Sequence, residues 1–110
     1  LIVKNNNFIS PYYWNYINVG TRYNNYTLFE GNTFKNVLPY GTALRISNND
    51  DGTILRNNNF TGFDHAIHLN SNASPVIENN ILQDNNYPIW SEGSAIGSVV
   101  AYNNFSDNNN

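Results

Sequence analysis

The chain has 110 residues, room for one domain, and carries five Lys and Arg against eight Asp and Glu, a net charge of −3. The absence of cysteine excludes disulfide staples, thiolate metal sites and cysteine nucleophiles, and the sparse, slightly acidic charge speaks against a nucleic-acid partner. No apolar run reaches the roughly 20 residues of a membrane-spanning helix.

Asn is the commonest residue, at 25 positions. So much Asn with so little charge suits a disordered or prion-like segment, but the placement of the Asn residues argues otherwise. In chain order, the first segment runs from Val3 through Lys4, Asn5, Asn6 and Asn7 to Phe8. An aromatic loop follows (Tyr12, Tyr13, Trp14 and Tyr16) and leads into an alternating strand, Tyr16–Val19. The first pattern returns over Phe29–Phe34, and a second strand follows over Ala43–Ile46. Turn material at Asn48, Asn49, Asp50, Asp51 and Gly52 precedes a third copy, Leu55–Phe60. A third alternating strand, Ala66–Leu69, ends in a turn at Asn70, Ser71 and Asn72. The fourth copy is Ile77–Leu82, followed by the strand Pro88–Ser91 and a turn through Glu92, Gly93 and Ser94. The fifth copy is Val100–Phe105.

The five segments align without gaps, and their last residues are spaced by 26, 26, 22 and 23 positions, as expected for variable loops on a fixed repeat. The last column, Phe8, Phe34, Phe60, Leu82 and Phe105, is always large and apolar and is the predicted core stack. The first column, Val3, Phe29, Leu55, Ile77 and Val100, is apolar too. Two positions before the last, every segment has Asn: Asn6, Asn32, Asn58, Asn80 and Asn103. These five are expected to pass amide hydrogen bonds from one coil to the next as a ladder, and Asn also tolerates the left-handed backbone of a sharp corner. The column Lys4, Glu30, Arg56, Glu78 and Ala101 alternates in sign, which penalises slipped registers between neighbours about 4.8 Å apart.

In the intervening strands, alternation points Ile17, Leu44, Ile67 and Ile89 inward, with Val19, Ile46, Leu69 and Ser91 two residues on. None of these short strands can bury its apolar face alone, and stacked coils can. The connections are too short for crossover helices, and no stretch sustains helical spacing. The fold class expected is therefore all-β: a right-handed parallel β-helix of about five coils of 22–26 residues, spanning 1–110 as a single segment with no evident caps. A β-sandwich, the main rival, does not predict an Asn column.

The wording "apolar-x-Asn-Asn-x-Phe, turn, alternating strand", clearest in Leu55–Phe60 and Ile77–Leu82, resembles the parallel β-helix repeat of the pectate-lyase-like superfamily. The resemblance covers nearly the whole chain. It implies an extracellular or cell-surface protein, often with polysaccharide as substrate or ligand. That superfamily hosts lyases, hydrolases, tailspikes and adhesins, so the fold leaves function open.

The outward positions of the second strand set form a column: Asn18, Arg45, His68 and Trp90, with Glu92 facing the same side. Arg45, His68, Trp90 and Glu92 are the candidate carbohydrate-binding residues. Trp90 would stack on a pyranose face, Arg45 would pair with a uronate carboxylate, and His68 would bond hydroxyls. The plain alternative is a row of solvated or loop-covered side chains. His65 and His68, three residues apart on a strand, are expected on opposite faces, with Asp64 and His65 shaping the turn after Phe63. Asp50, Asp51 and Gly52 suit a turn or a Ca²⁺ loop, and Ca²⁺ is the sole cofactor considered. Asp84 and Asp107 occupy equivalent turn positions, as turn-formers or a weak cation site.

No hydrolase or lyase motif is readable, so no catalytic residue and no metal ligand is assigned. The Tyr12, Tyr13, Trp14 and Tyr16 cluster suits a carbohydrate platform, a contact with another chain, or packing on the solenoid. Four Asn-x-Ser/Thr sequons occur, at Asn25, Asn59, Asn72 and Asn104, of which Asn59 and Asn104 are expected too near the core for modification. An ice-binding solenoid would want a flat Thr array, which the sequence lacks. The chain opens at Leu1 inside a strand and closes in an Asn run. That suggests either a piece of a longer solenoid or copies that associate end to end or laterally. The expected role is a structural, adhesin-like or filament-forming scaffold in contact with polysaccharide. The alternative is a fragment of a polysaccharide lyase or glycoside hydrolase.

Overall fold

The computed structural model describes residues 1–10, 17–20, 26–47, 52–70, 72–93 and 97–110. The aromatic cluster Tyr12, Tyr13, Trp14 and Tyr16, the Asp50–Asp51 pair and the sequon at Asn25 lie outside them.

Among the described residues, fourteen short strands wind through four coils and the first two strands of a fifth. The first coil carries β1 (Ile2–Lys4), β2 (Asn7–Ser10) and β3 (Ile17–Gly20), and the second carries β4 (Thr27–Glu30), β5 (Thr33–Asn36) and β6 (Thr42–Ser47). The third has β7 (Thr53–Arg56), β8 (Asn59–Thr61) and β9 (His65–Asn70), and the fourth has β10 (Val76–Glu78), β11 (Ile81–Gln83) and β12 (Tyr87–Glu92). The fifth has β13 (Val99–Ala101) and β14 (Asn104–Ser106). Equivalent strands pair in parallel from coil to coil. They make a first sheet β1-β4-β7-β10-β13, a second β2-β5-β8-β11-β14 and a third β3-β6-β9-β12. The protein is an all-parallel β-solenoid. Among the described residues no helix is long and apolar enough to cross a membrane.

Each repeated segment is the end of a first-sheet strand, a corner, and the start of a second-sheet strand. At that corner the Asn column forms its ladder. The Oδ1 of Asn32 accepts from the backbone N–H of Asn6 at 2.9 Å and from its side-chain amide at 3.2 Å. Asn32 in turn donates to Asn58 Oδ1 at 2.9 and 3.1 Å. The step repeats from Asn58 to Asn80 and from Asn80 to Asn103. The second amide hydrogen turns back to a carbonyl of the preceding coil: Asn32 to Val3, Asn58 to Phe29, Asn80 to Leu55 and Asn103 to Ile77, each at 2.9 Å. A buried Asn here uses both donors and both lone pairs, which lets Asn32, Asn58 and Asn80 sit inside a protein without an unmet polar group.

The left-handed residue at this corner is the one before the ladder Asn, not the ladder Asn itself. Asn5, Gly31, Asn57, Asn79 and Tyr102 have φ between 54° and 67°. The backbone reversal and the amide relay are thus divided between adjacent residues, because the ladder side chain must point inward while its neighbour absorbs the turn.

A second relay lies at the next corner and was not read from the sequence. Asn85 Oδ1 accepts from Phe63 N–H at 3.0 Å, and Asn108 Oδ1 accepts from Asn85 N–H at 2.9 Å. Asn85 and Asn108 donate back to the carbonyls of Phe60 and Leu82 at 3.1 and 2.7 Å. Beside it, Asn86 donates to Asp64 Oδ1 at 2.9 Å and Asn109 donates to Asn86. The sequence signal was the tripeptide Asp-Asn-Asn at 84–86, repeated at 107–109. Asp84 and Asp107 take equivalent left-handed positions, with φ of 55° and 54°.

Between the sheets, Phe8, Phe34 and Phe60 stack face to face, with centroids 4.9 and 4.7 Å apart and planes within 12°. Phe29, Leu44, Ile46, Leu55, Ile67, Ile77 and Leu82 complete a core from which water is excluded. Each such side chain contributes about 1.5–3 kcal/mol by burial. Two members expected in this core, Phe105 and Val100, are 48% and 49% exposed; both lie on the fifth coil, the last of the described residues. Ser91, expected inside, is exposed because β12 is an outer strand of the third sheet. On the outside of the first sheet, Glu30 binds Lys4 and Arg56, each at 2.7 Å, so the alternating charges meet around Glu30.

Candidate functional site

The third sheet carries the chemistry. Its register aligns Asn18 with Arg45, Arg45 with His68 and His68 with Trp90, and Arg45, His68 and Trp90 form the expected outward column. The backbone departs from simple alternation, however. Pairing passes from Thr42–His65 to Leu44–Ile67 and skips Ala43 and Ala66, and on the other side it skips Ala66 and Pro88. Pro88 has no N–H to offer a ladder. Ala43 and Leu44, like Ala66 and Ile67, are both buried. Two successive inward residues amount to a local bend of the strand, which small side chains accommodate. As a result, residues three apart share the outer face.

This overturns the expectation that His65 and His68 point to opposite sides. Their rings lie 5.7 Å apart. His65 stacks on Tyr87 at 5.3 Å with planes 18° apart, and Trp90 lies 5.4 Å from His65 and 4.9 Å, edge on, from Tyr87. The site is therefore two columns wide: Arg45, His68 and Trp90 beside Thr42, His65 and Tyr87. Tyr87 and His65 were not among the expected site residues. The bend was hidden because period-two alternation assumes a regular strand.

Glu92 reaches back over this face. Its Oε1 accepts from the Trp90 indole N–H at 3.4 Å, and its Oε2 lies 3.3 Å from His68 Nε2. The latter contact is within ion-pair reach but out of line for a hydrogen bond. Among the described residues His68 Nε2 and Arg45 Nε are thus buried nitrogens without a hydrogen-bond partner. Burial holds the His68 pKa below its ordinary value, against the pull of Glu92, which raises it. The Trp90 hydrogen bond, then the charge of His68, hold Glu92 below the usual carboxylate range. Asp64 Oδ2 lies 3.4 Å from His65 Nδ1 while its other oxygen accepts from Asn86. Asp64 therefore serves the outer face as well as the corner.

The four expected residues Arg45, His68, Trp90 and Glu92 are brought together. The arrangement offers aromatic surface, donors short of acceptors, and two carboxylates. Among the described residues no group of three His, Cys, Asp or Glu is placed to hold a metal ion. Of the sequons, Asn72 is exposed, Asn59 is half-buried and accepts from the Thr61 hydroxyl at 3.1 Å. Asn104, expected near the core, is exposed on the terminal coil. No protein-family profile, curated protein or solved structure matches the chain.

Proposed function

We propose that the protein is an extracellular or cell-surface β-solenoid scaffold, adhesin-like in role, whose third sheet contacts polysaccharide. The observation that carries this reading is the convergence of Tyr87, Trp90 and His65 on one outer face beside Arg45, His68 and Glu92. Aromatic rings with a polar rim suit sugars, which present a C–H face and a girdle of hydroxyls. A rigid sheet holds such rings without further ordering cost. The resemblance of the repeat wording to the pectate-lyase-like superfamily supports the same direction.

Affinity electrophoresis through gels holding neutral and acidic polysaccharides tests it. Retardation of the wild type by at least one polymer, abolished in Trp90→Ala with the fold intact, is the expected result. Equal mobility in every gel would remove the reading. The second reading, a piece of a polysaccharide lyase or hydrolase, is favoured by the contact of His68 with Glu92, an imidazole and a carboxylate within reach of each other. Release of reducing ends or unsaturated products, lost in His68→Gln, would establish it in place of the first.

A further inference from the structure

We propose that the third-sheet strip is an acid-gated site for anionic polysaccharide: with the His68 imidazole protonated, Arg45 and His68 form a cationic pair that takes the polymer's sulfate or carboxylate groups. The inference rests on the saccharide-contact reading and names its ligand class and control.

Arg45 and His68 are register neighbours on β6 and β9, about 4.8 Å apart along the stack, and His65 is 5.7 Å from His68. Among the described residues the groups that face them are few. β6 contributes Arg45, β9 contributes His68 and His65 with Asp64 at its start, and β12 contributes Glu92 with the uncharged rings of Tyr87 and Trp90. At neutral pH one cation stands against two carboxylates, so an anionic polymer is repelled. Protonation of His68 gives two cations against the same two carboxylates, and the net repulsion of the strip is removed. The buried Nε of Arg45 already lacks an acceptor, and His68 Nε2 has beside it the out-of-line Glu92 oxygen at 3.3 Å. Anionic oxygen is the acceptor that a desolvated, charged donor binds most strongly. Burial of His68 delays its protonation, placing the switch on the acid side of the ordinary imidazole range.

The test uses dextran sulfate, whose charge is constant across the range, with uncharged dextran as control, at fixed ionic strength from about pH 8 to about pH 5. Wild type is expected to bind dextran sulfate about tenfold or more tightly at the acid end, with the gain reduced by salt and missing from the His68→Gln variant. Glu92→Gln, half-exposed and outside the core, is expected to bind dextran sulfate more tightly already at neutral pH. An equal acid gain in His68→Gln, or no change in Glu92→Gln, would overturn the inference. If His68→Gln fails to fold, as thermal unfolding would show, Glu92→Gln decides alone. Trp90-dependent retardation by a neutral polysaccharide, with dextran sulfate binding flat in pH, would sink the gate and leave the saccharide reading standing. Polygalacturonate run beside dextran sulfate separates carboxylate from sulfate preference.

Discussion

Asn80 Oδ1 receives two hydrogen bonds from Asn58, one from its backbone N–H at 2.9 Å and one from its side-chain amide at 3.0 Å. Asn58 meanwhile accepts from Asn32 and donates to the Phe29 carbonyl. Replacing Asn58 by Ala leaves the Asn32 donors and the Phe29 carbonyl buried and unmet, at a cost of about 3–5 kcal/mol. Asn6→Ala, at an exposed end of the ladder, is expected to cost about 1 kcal/mol or less. Asn58→Asp has no side-chain donor when ionised and should be worse at neutral than at acid pH. Urea unfolding of the three variants checks the order, and equal costs for Asn6 and Asn58 would contradict the ladder.

The ring stack makes a second prediction. Phe60→Ala opens a void between Phe34 and Leu82 and should cost about 3–5 kcal/mol. Phe60→Leu imitates the residue that already occupies the next rung, and about 1.5 kcal/mol or less is expected. Denaturant midpoints at constant m-value are the readout.

Corner geometry makes a third. Gly62 has φ of 83°, and a Cβ there would overlap the Asn36 carbonyl oxygen. Gly62→Ala is expected to destabilise by more than about 1–2 kcal/mol. Tyr102 holds φ of 56° with its ring 85% exposed, so Tyr102→Gly should be neutral or gain about 1 kcal/mol. Thermal unfolding of both variants distinguishes this assignment of strain from a general intolerance of corner changes.

The pH dependence has a defined sign. Burial lowers the His68 pKa from its ordinary 6.5, so the folded state prefers the neutral ring. Its contribution to stability is present above about pH 6.5 and is lost as pH falls below it toward the folded value. In His68→Gln this segment of the stability–pH curve should flatten. A steeper curve in the variant would mean that the ring is held protonated instead.

Glu30 behaves in the opposite range. Hydrogen bonds from Lys4 and then Arg56 hold it below its ordinary 4.5, so its contribution is present above that value and fades as pH falls through it. Glu30→Gln should lower the melting temperature slightly. Glu30→Lys, which sets three cations in one column, should lower it more, and added salt should narrow the gap.

The solenoid was legible because its defining columns recur in every copy. Asn6 to Asn103 and Phe8 to Phe105 align without gaps, and each column has one physical task. The second relay was harder to see: Asn85 and Asn108 repeat only once, since the equivalent position in the third coil is Phe63. The outer strip was half legible. Arg45, His68, Trp90 and Glu92 follow from alternation, whereas His65 and Tyr87 join them through a bend at Ala43, Ala66 and Pro88 that no period of two encodes. The charge column was readable in sign, and Glu30 confirms its contacts with both neighbours.

The Asn ladder also separates two lengths that most repeats tie together. Each amide-to-amide step is set by hydrogen-bond geometry, while the residues from one ladder Asn to the next number 26, 26, 22 and 23. Circumference can drift as pitch stays fixed. Insertions and deletions therefore accumulate around the perimeter, where new surfaces arise, without disturbing the axial metre against which the rings and charges are aligned.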